Sequence, residues 1–345
     1  MTAEAQLDRT TADNHFRLGL LFAVSSALAF GSSGPFAKAL MESGWSPTAA
    51  VTARLAGGAL MMAAFASIVR PGWIREVLGH AKTVVGYGLI PIAGAQLCYY
   101  NAVAHLSVGV ALLLEYTAPI LVVGWLWATT RHRPSAMTFA GVAVAVAGII
   151  LVLDVFSGAQ INLVGVSWGL AAAVCAACYF MMSNKASTDG DGLSPISLAA
   201  GGLVVGTAAV ALLGVTGIMP LTFATNPVTI AGHTTAWLVP VIALGLIPTA
   251  LAYTLGIVGI ARLKPRFASL VGLSEVLFAV LIAWIMLGEA MSVSQAIGGL
   301  VVLAGLAVAR QGDRSEQADP EAATQIERAT WPDLPLRETA EAAND

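Results

Sequence analysis

Apolar residues in this chain run almost unbroken for about 20 positions at a time, with short polar or turn-forming breaks between the runs. A helix rising 1.5 Å per residue needs that length to cross a hydrocarbon core of ~30 Å. The pattern predicts ten spans: Arg17–Met41, Pro47–Val69, Val84–Val103, Leu106–Thr129, Pro134–Leu153, Val164–Met182, Pro195–Ile218, Trp237–Ala261, Phe267–Leu287 and Val293–Ala309. Residues 1–16 are polar and 311–345 are acidic and Pro/Ala-rich, so both read as disordered tails. The first run is too long for a signal-peptide core, lacks a cleavage site and is followed by further spans. The expected fold is an all-α polytopic membrane protein.

The runs are arranged in two copies. Gly88-Leu89-Ile90-Pro91 returns as Gly245-Leu246-Ile247-Pro248, a spacing of 157 residues. The same spacing relates Ala104 to Ala261, Leu106 to Leu263, Ala111 to Ala268 and Leu113 to Leu270, then Trp127 to Trp284, Gly141 to Gly298 and Gly148 to Gly305. A register held without a gap over about sixty residues predicts an internal repeat, 17–155 and 163–310. Five spans per copy is an odd number, so the second copy is expected inverted relative to the first. A 5+5 inverted-topology repeat is the architecture of secondary transporters, whose site lies near mid-membrane between the halves.

Composition agrees: 57% of residues are hydrophobic and 11% charged, against roughly 45–50% and 25% in soluble domains. Mean hydropathy is +0.79. The net charge of −3 matters less than where the cations fall. With the N-terminus cytoplasmic, the inner segments hold Arg9, Arg17, Arg70, Arg75, Lys82, Arg131, Arg133, Lys185, Arg262, Lys264, Arg266, Arg310, Arg314, Arg328 and Arg337, fifteen of seventeen basic residues. The outer segments 41–47, 104–106, 154–163, 219–236 and 288–292 hold none. Both termini are therefore expected in the cytoplasm, with the chain in a bacterial-type plasma membrane. Cys98, Cys175 and Cys178 lie inside apolar runs and read as small packing residues.

Four charges fall inside spans: Lys38, Arg54, Glu115 and Glu275. Each costs about 2.5–3.5 kcal/mol near a helix centre, so such groups pair or face a cavity. Arg54 and Glu115 lie at similar depths, roughly 10 and 13 Å from the outer ends of their spans, which allows an ion pair. Glu115 reads either as a brace to Arg54 or as a substrate or proton site. Glu275 has no cation of matching depth in the first two spans, and its repeat equivalent is Ala118, so it is the stronger candidate for a functional carboxylate. Lys38, near a span end, is expected to snorkel to the headgroups. Gln96 of the third span and Tyr253 at its repeat position are candidates for lining a wet cavity. Tyr99, Tyr100 and Asn101 add to the polar density of that span, and Tyr99 and Tyr100 read either the same way or as headgroup-belt residues. Gly31-Ser32-Ser33-Gly34-Pro35 predicts a bend in the first span, with Ser32 a candidate pathway residue, and Pro91, Pro119 and Pro248 predict bends elsewhere. Gly165-x-x-x-Gly169 and Gly202-x-x-x-Gly206 predict close helix contacts.

The run Ala29-Phe30-Gly31-Ser32-Ser33-Gly34 through Lys38, together with Arg54 and the Gly141 and Gly148 pair, resembles the drug/metabolite transporter superfamily. So does Leu287-Gly288-Glu289 followed by Gln295, Gly298 and Gly305. The likeness is to its EamA-type members and spans 17–310. Glu115-Tyr116-Thr117-Ala118-Pro119 resembles the corresponding segment of threonine/homoserine exporters. Val276 and His132 depart from the usual proline and glutamate. The resemblance implies a ten-helix inner-membrane carrier that exports small metabolites by alternating access.

The functional expectation is a secondary transporter of a small metabolite, such as an amino acid, driven by protons or exchange. Arg54 and the glutamates offer both signs that a zwitterion needs. A cationic drug, needing only carboxylates and rings, is the alternative within the class. An intramembrane enzyme would need chemistry that is missing here: no His-Glu-x-x-His, no Gly-x-Ser-Gly, no phosphate-cradling glycine loop. An accessory membrane protein would need no buried carboxylate. Neither cofactor nor metal is expected. The expected partners are a small-molecule substrate and the lipid bilayer, without nucleic acid, and a homodimer stays open.

Overall fold

The computed structural model describes residues 3–130, 133–153, 162–188, 193–260 and 265–317. Its helices are α1 (Ala3–Gly31), α2 (Ser33–Glu42), α3 (Pro47–Val69), α4 (Trp73–Gly79), α5 (Ala81–Tyr87), α6 (Ala95–His105), α7 (Val108–Glu115) and α8 (Ala118–Thr130). They continue with α9 (Ala136–Val152), α10 (Leu163–Thr188), α11 (Pro195–Val215), α12 (Leu238–Gly245), α13 (Ala252–Ile260), α14 (Pro265–Leu287) and α15 (Val293–Gln317). Among the described residues six runs are long and apolar enough to cross a membrane: Arg17–Glu42, Pro47–Val69, Val108–Thr129, Leu163–Met182, Pro195–Val215 and Leu238–Gly256. Ala136–Val152, Val271–Leu287 and Val293–Ala309 are shorter apolar helices. Leu60, Ile68, Leu212, Trp284 and Leu300 point outward and exposed, a surface suited to lipid and costly in water.

The repeated tetrapeptide has a backbone consequence. Proline cannot donate the helical hydrogen bond, so the turns around Pro91 and Pro248 widen. Gly88–Gly94 and Leu246–Leu251 are both π-helical. The glycine of each copy then admits a helix from the other half. A Cβ on Gly88 would lie 2.8 Å from the Gly202 carbonyl of α11, and one on Gly57 of α3 would lie 3.2 Å from Gly245 Cα. Pro119 marks a different device: α7 stops at Glu115 and α8 begins at Ala118, with the chain turned at Tyr116 and Thr117. The bend expected in the first span is the break between α1 and α2 at Ser32.

α9 and α15 pack through their glycines, reciprocally. A Cβ on Gly141 would come within 2.6 Å of Gly305 O, and one on Gly305 within 2.7 Å of Gly141 O. Gly148 and Gly298 face each other's carbonyls in the same way, both at 2.9 Å. The start of α9 meets the end of α15, so these two helices run antiparallel. Elsewhere α3 packs on α11, α1 on α13 and α14, and α10 on α6 and α7. Both glycine pairs expected at helix contacts are so used: Gly165 and Gly169 face Leu106 and Leu114, and Gly202 and Gly206 face Ile92.

Two ends of the bundle are tied across the sequence halves. At one end 219–236 forms a strap rather than a plain loop. Its strands β1 (Val228–Ile230) and β2 (His233–Thr235) join through Ala231 and Gly232, both at positive φ, 51° and 75°, as a tight primed hairpin turn requires. The strap bonds to the α2–α3 turn: Ser46 N donates to Thr222 O (3.0 Å), and Trp45 Nε1 to Ala224 O (2.7 Å). At the other end, Glu76 of α4 sits at the start of α11. Its Oε2 accepts from Ser197 Oγ at 2.6 Å and from Ser194 N at 3.2 Å. The Ser197 hydroxyl bond, then the Ser194 amide bond, hold the Glu76 carboxyl below its ordinary value of 4.5.

Candidate functional site

The break between α1 and α2 builds one wall. The Ser32 hydroxyl donates to Ala29 O of its own helix at 2.6 Å. Ser33, one step on, turns inward and lies 3.0 Å from the Tyr100 hydroxyl. Arg54 of α3 enters this network. Its Nη1 donates to Ser33 Oγ (2.5 Å), to Gln96 Oε1 (2.5 Å) and more distantly to Tyr100 OH (3.3 Å). The guanidinium carbon is 5.8 Å from the Tyr100 ring centre, within cation–π range. Tyr99 is buried, with its hydroxyl in the space beside Gly34 that a side chain there would fill. Tyr99 is thus packed inside the bundle rather than on its outer surface.

The carboxylates lie on α7 and α14. Glu115 is the last residue of α7, and the turn that follows aims Tyr116 at α14. The Tyr116 hydroxyl is 2.8 Å from Glu275 Oε2 and 3.1 Å from Gly272 O. Gly31 brings α1 against α14 at the same level: a Cβ there would lie 2.8 Å from Ala279 N and 2.9 Å from Glu275 O. Glu115 and Glu275 are half-buried. They are near enough to interact electrostatically with each other and with Arg54. Depth along the helices matched Arg54 to Glu115; the groups hydrogen-bonded to Arg54 include Ser33, Gln96 and Tyr100.

Candidates read from the sequence thus converge: Arg54, Gln96, Tyr99, Glu115 and Glu275 share one region. Ser32 lies beside it, but Ser33 supplies the hydroxyl to Arg54. Pro91 and Pro248 act at a distance, through the π-helical turns. The Tyr253 side chain lies outside the described residues. Lys38 does not snorkel; it forms an ion pair with Glu289 and donates to Leu106 O at 2.9 Å. Sequence reasoning did not assign Ser33 or Tyr116 to the site, and it left Tyr100, here fully buried, between cavity lining and the headgroup belt. Tyr100 stands one helical turn from Gln96 and so shares its face, which was the signal for the first.

The sequence pattern of the EamA-like transporter family matches residues 17–154 and again residues 163–310. The chain belongs to the EamA-like transporter family. It is a membrane transporter and not an enzyme. Among relatives of this EamA-family chain, the threonine/homoserine exporter RhtA of Salmonella typhimurium strain LT2 is 28% identical over 294 residues, 83% of this chain and 88% of that protein. An uncharacterized transporter of Archaeoglobus fulgidus is 26% identical over 271 residues, 76% of this chain and 91% of that one. A solved crystal structure superposes with a TM-score of 0.55 at 20% identity, covering 85% of this chain and 98% of the other, a likeness of fold.

Proposed function

We propose that this EamA-family transporter exports a small zwitterionic metabolite of amino-acid type by alternating access, coupled to protons or to exchange. Its working unit is read as ten spans in a 5+5 inverted repeat with both termini cytoplasmic. In this reading the ten are the six long runs, the three shorter apolar helices and the polar run through Gln96. The antiparallel, glycine-to-glycine packing of the repeat-related α9 and α15 supports the inversion. The basic residues support the orientation. The name of the RhtA relatives supports the substrate class.

The observation carrying proton coupling is the Tyr116 hydroxyl set between Glu275 Oε2 and Gly272 O. An ionised Glu275 accepts the Tyr116 proton. A protonated Glu275 donates to the Tyr116 oxygen, whose own proton then turns to Gly272 O. Either protonation state is hydrogen-bonded without moving the backbone, as a buried titrating group requires. Arg54 offers the positive partner to a substrate carboxylate, and Glu115 the negative partner to an ammonium. A second reading, a cationic substrate, is favoured by the engagement of Arg54 with Ser33, Gln96 and Tyr100, beside two carboxylates.

The test is Glu275→Gln in proteoliposomes, with threonine and homoserine as zwitterionic probes and a monovalent organic cation as the cationic probe. Proton-gradient-driven net flux should fall while substrate exchange survives, because exchange moves no net proton. If both modes persist unchanged, Glu275 only packs; if only cationic probes are carried, the second reading replaces the first.

A further inference from the structure

The ion pair of Lys38 with Glu289 reaches further than two side chains. Glu289 Oε2 also accepts from Val108 N (3.0 Å), the first residue of α7, while Lys38 Nζ donates to Leu106 O just before it. Gly288, at φ 71°, ends α14 in the left-handed turn that aims Glu289 back at α2 and α7. Both side chains are mostly shielded, each 18% exposed. One clasp therefore joins α2, α7 and the α14–α15 turn. Each of these helices carries a group of the candidate site: Ser33 on α2, Glu115 on α7 and Glu275 on α14. Val108 is fully buried beneath the clasp, about 10 Å from Glu115 along a helix rising 1.5 Å per residue.

We infer that Lys38 and Glu289 are the gate of the transport pathway at the end away from the termini, closed in this structure. The inference rests on the alternating-access reading. Opening the site at that end requires the α14–α15 turn to leave α2 and α7. Separation strips Lys38 and Glu289 of each other and Val108 N of its acceptor together, so the clasp breaks as a unit. Water entering the mouth then solvates the parted charges. This makes the pair a two-state element rather than a permanent brace.

The experiment uses the full chain with Cys98, Cys175 and Cys178 changed to Ala, and Val108→Cys as reporter. A membrane-impermeant maleimide is added on the face opposite the termini. Glu289→Gln keeps an acceptor for Val108 N but removes the charge. It should raise the labelling rate by an order of magnitude or so, within the ~5–150-fold range of ordinary site couplings. Adding Lys38→Met should raise it little more, since the pair is already broken. Unchanged labelling in a folded Glu289→Gln protein would overturn the gate. Labelling needs no substrate, so it stays readable if neither threonine nor homoserine is carried. As a second arm, Lys38→Cys with Glu289→Cys is bridged by a short cleavable cross-linker. Transport should stop on bridging and return on cleavage. Undiminished transport while bridged overturns the proposal.

Discussion

The hydrogen bond from Arg54 to Gln96 lends itself to a quantitative test, because its parts can be removed separately. Arg54→Met deletes the donor and leaves Gln96 Oε1 without its 2.5 Å partner, whereas Ser33 and Tyr100 still have each other at 3.0 Å. One orphaned acceptor costs about 1–3 kcal/mol in a protein interior. Hydrogen bonds between membrane helices average only ~0.6 and reach ~1.7 kcal/mol in double-mutant cycles. A charged donor belongs at the upper end of that range, so the expected coupling between Arg54→Met and Gln96→Leu is about 1.5 kcal/mol. The assay is reversible unfolding of the purified wild type, both single variants and the double variant in detergent micelles. The double variant should be less destabilised than the sum of the singles by that amount. Additivity within ~0.5 kcal/mol would refute the pairing. Repeating the cycle with Glu115→Gln in place of Gln96→Leu separates the hydrogen bond from longer-range attraction. That coupling should be the smaller of the two, since Gln96 bonds the guanidinium directly at 2.5 Å.

Two further outcomes follow from packing and titration. Gly141→Ala should destabilise the protein by about 1–3 kcal/mol despite alanine's better helix propensity, because its Cβ would meet the Gly305 carbonyl at 2.6 Å. Gly124→Ala, with nothing within 4 Å, should leave the thermal midpoint unchanged or raised, and equal effects at the two sites would disprove the tight α9–α15 contact. Glu76→Ala should lower the thermal midpoint at neutral pH by removing the cap on Ser194 and Ser197. The folded-state value of Glu76 lies below 4.5, so its ionised contribution is fully present above that pH and fades as pH falls through the lowered value. A wild-type advantage that persists undiminished to about pH 2 would mean the cap does not depend on ionisation.

Much of this protein was legible from residue order. Apolar length predicted the spans because a bilayer leaves helices few alternatives: backbone groups without water must bond within their own segment. The 157-residue register predicted equivalent structure, and both tetrapeptides do widen into π-helical turns. Charges inside spans pointed to Arg54, Glu115 and Glu275, because few folds tolerate charge at that depth without a use for it. Other features depended on contacts between segments far apart in sequence. Depth along a helix fixes height but not azimuth, so it matched Arg54 to Glu115 and could not foresee Ser33, Gln96 and Tyr100 around it. The break at Ser32 decided which of two neighbouring buried serines meets Arg54, since one residue of rotation moves a side chain by about 100°. Lys38 looked like a headgroup anchor because its partner, Glu289, lies in a turn 251 positions later. Only folding brings that turn beside α2, where shielding from water strengthens the attraction between the two charges.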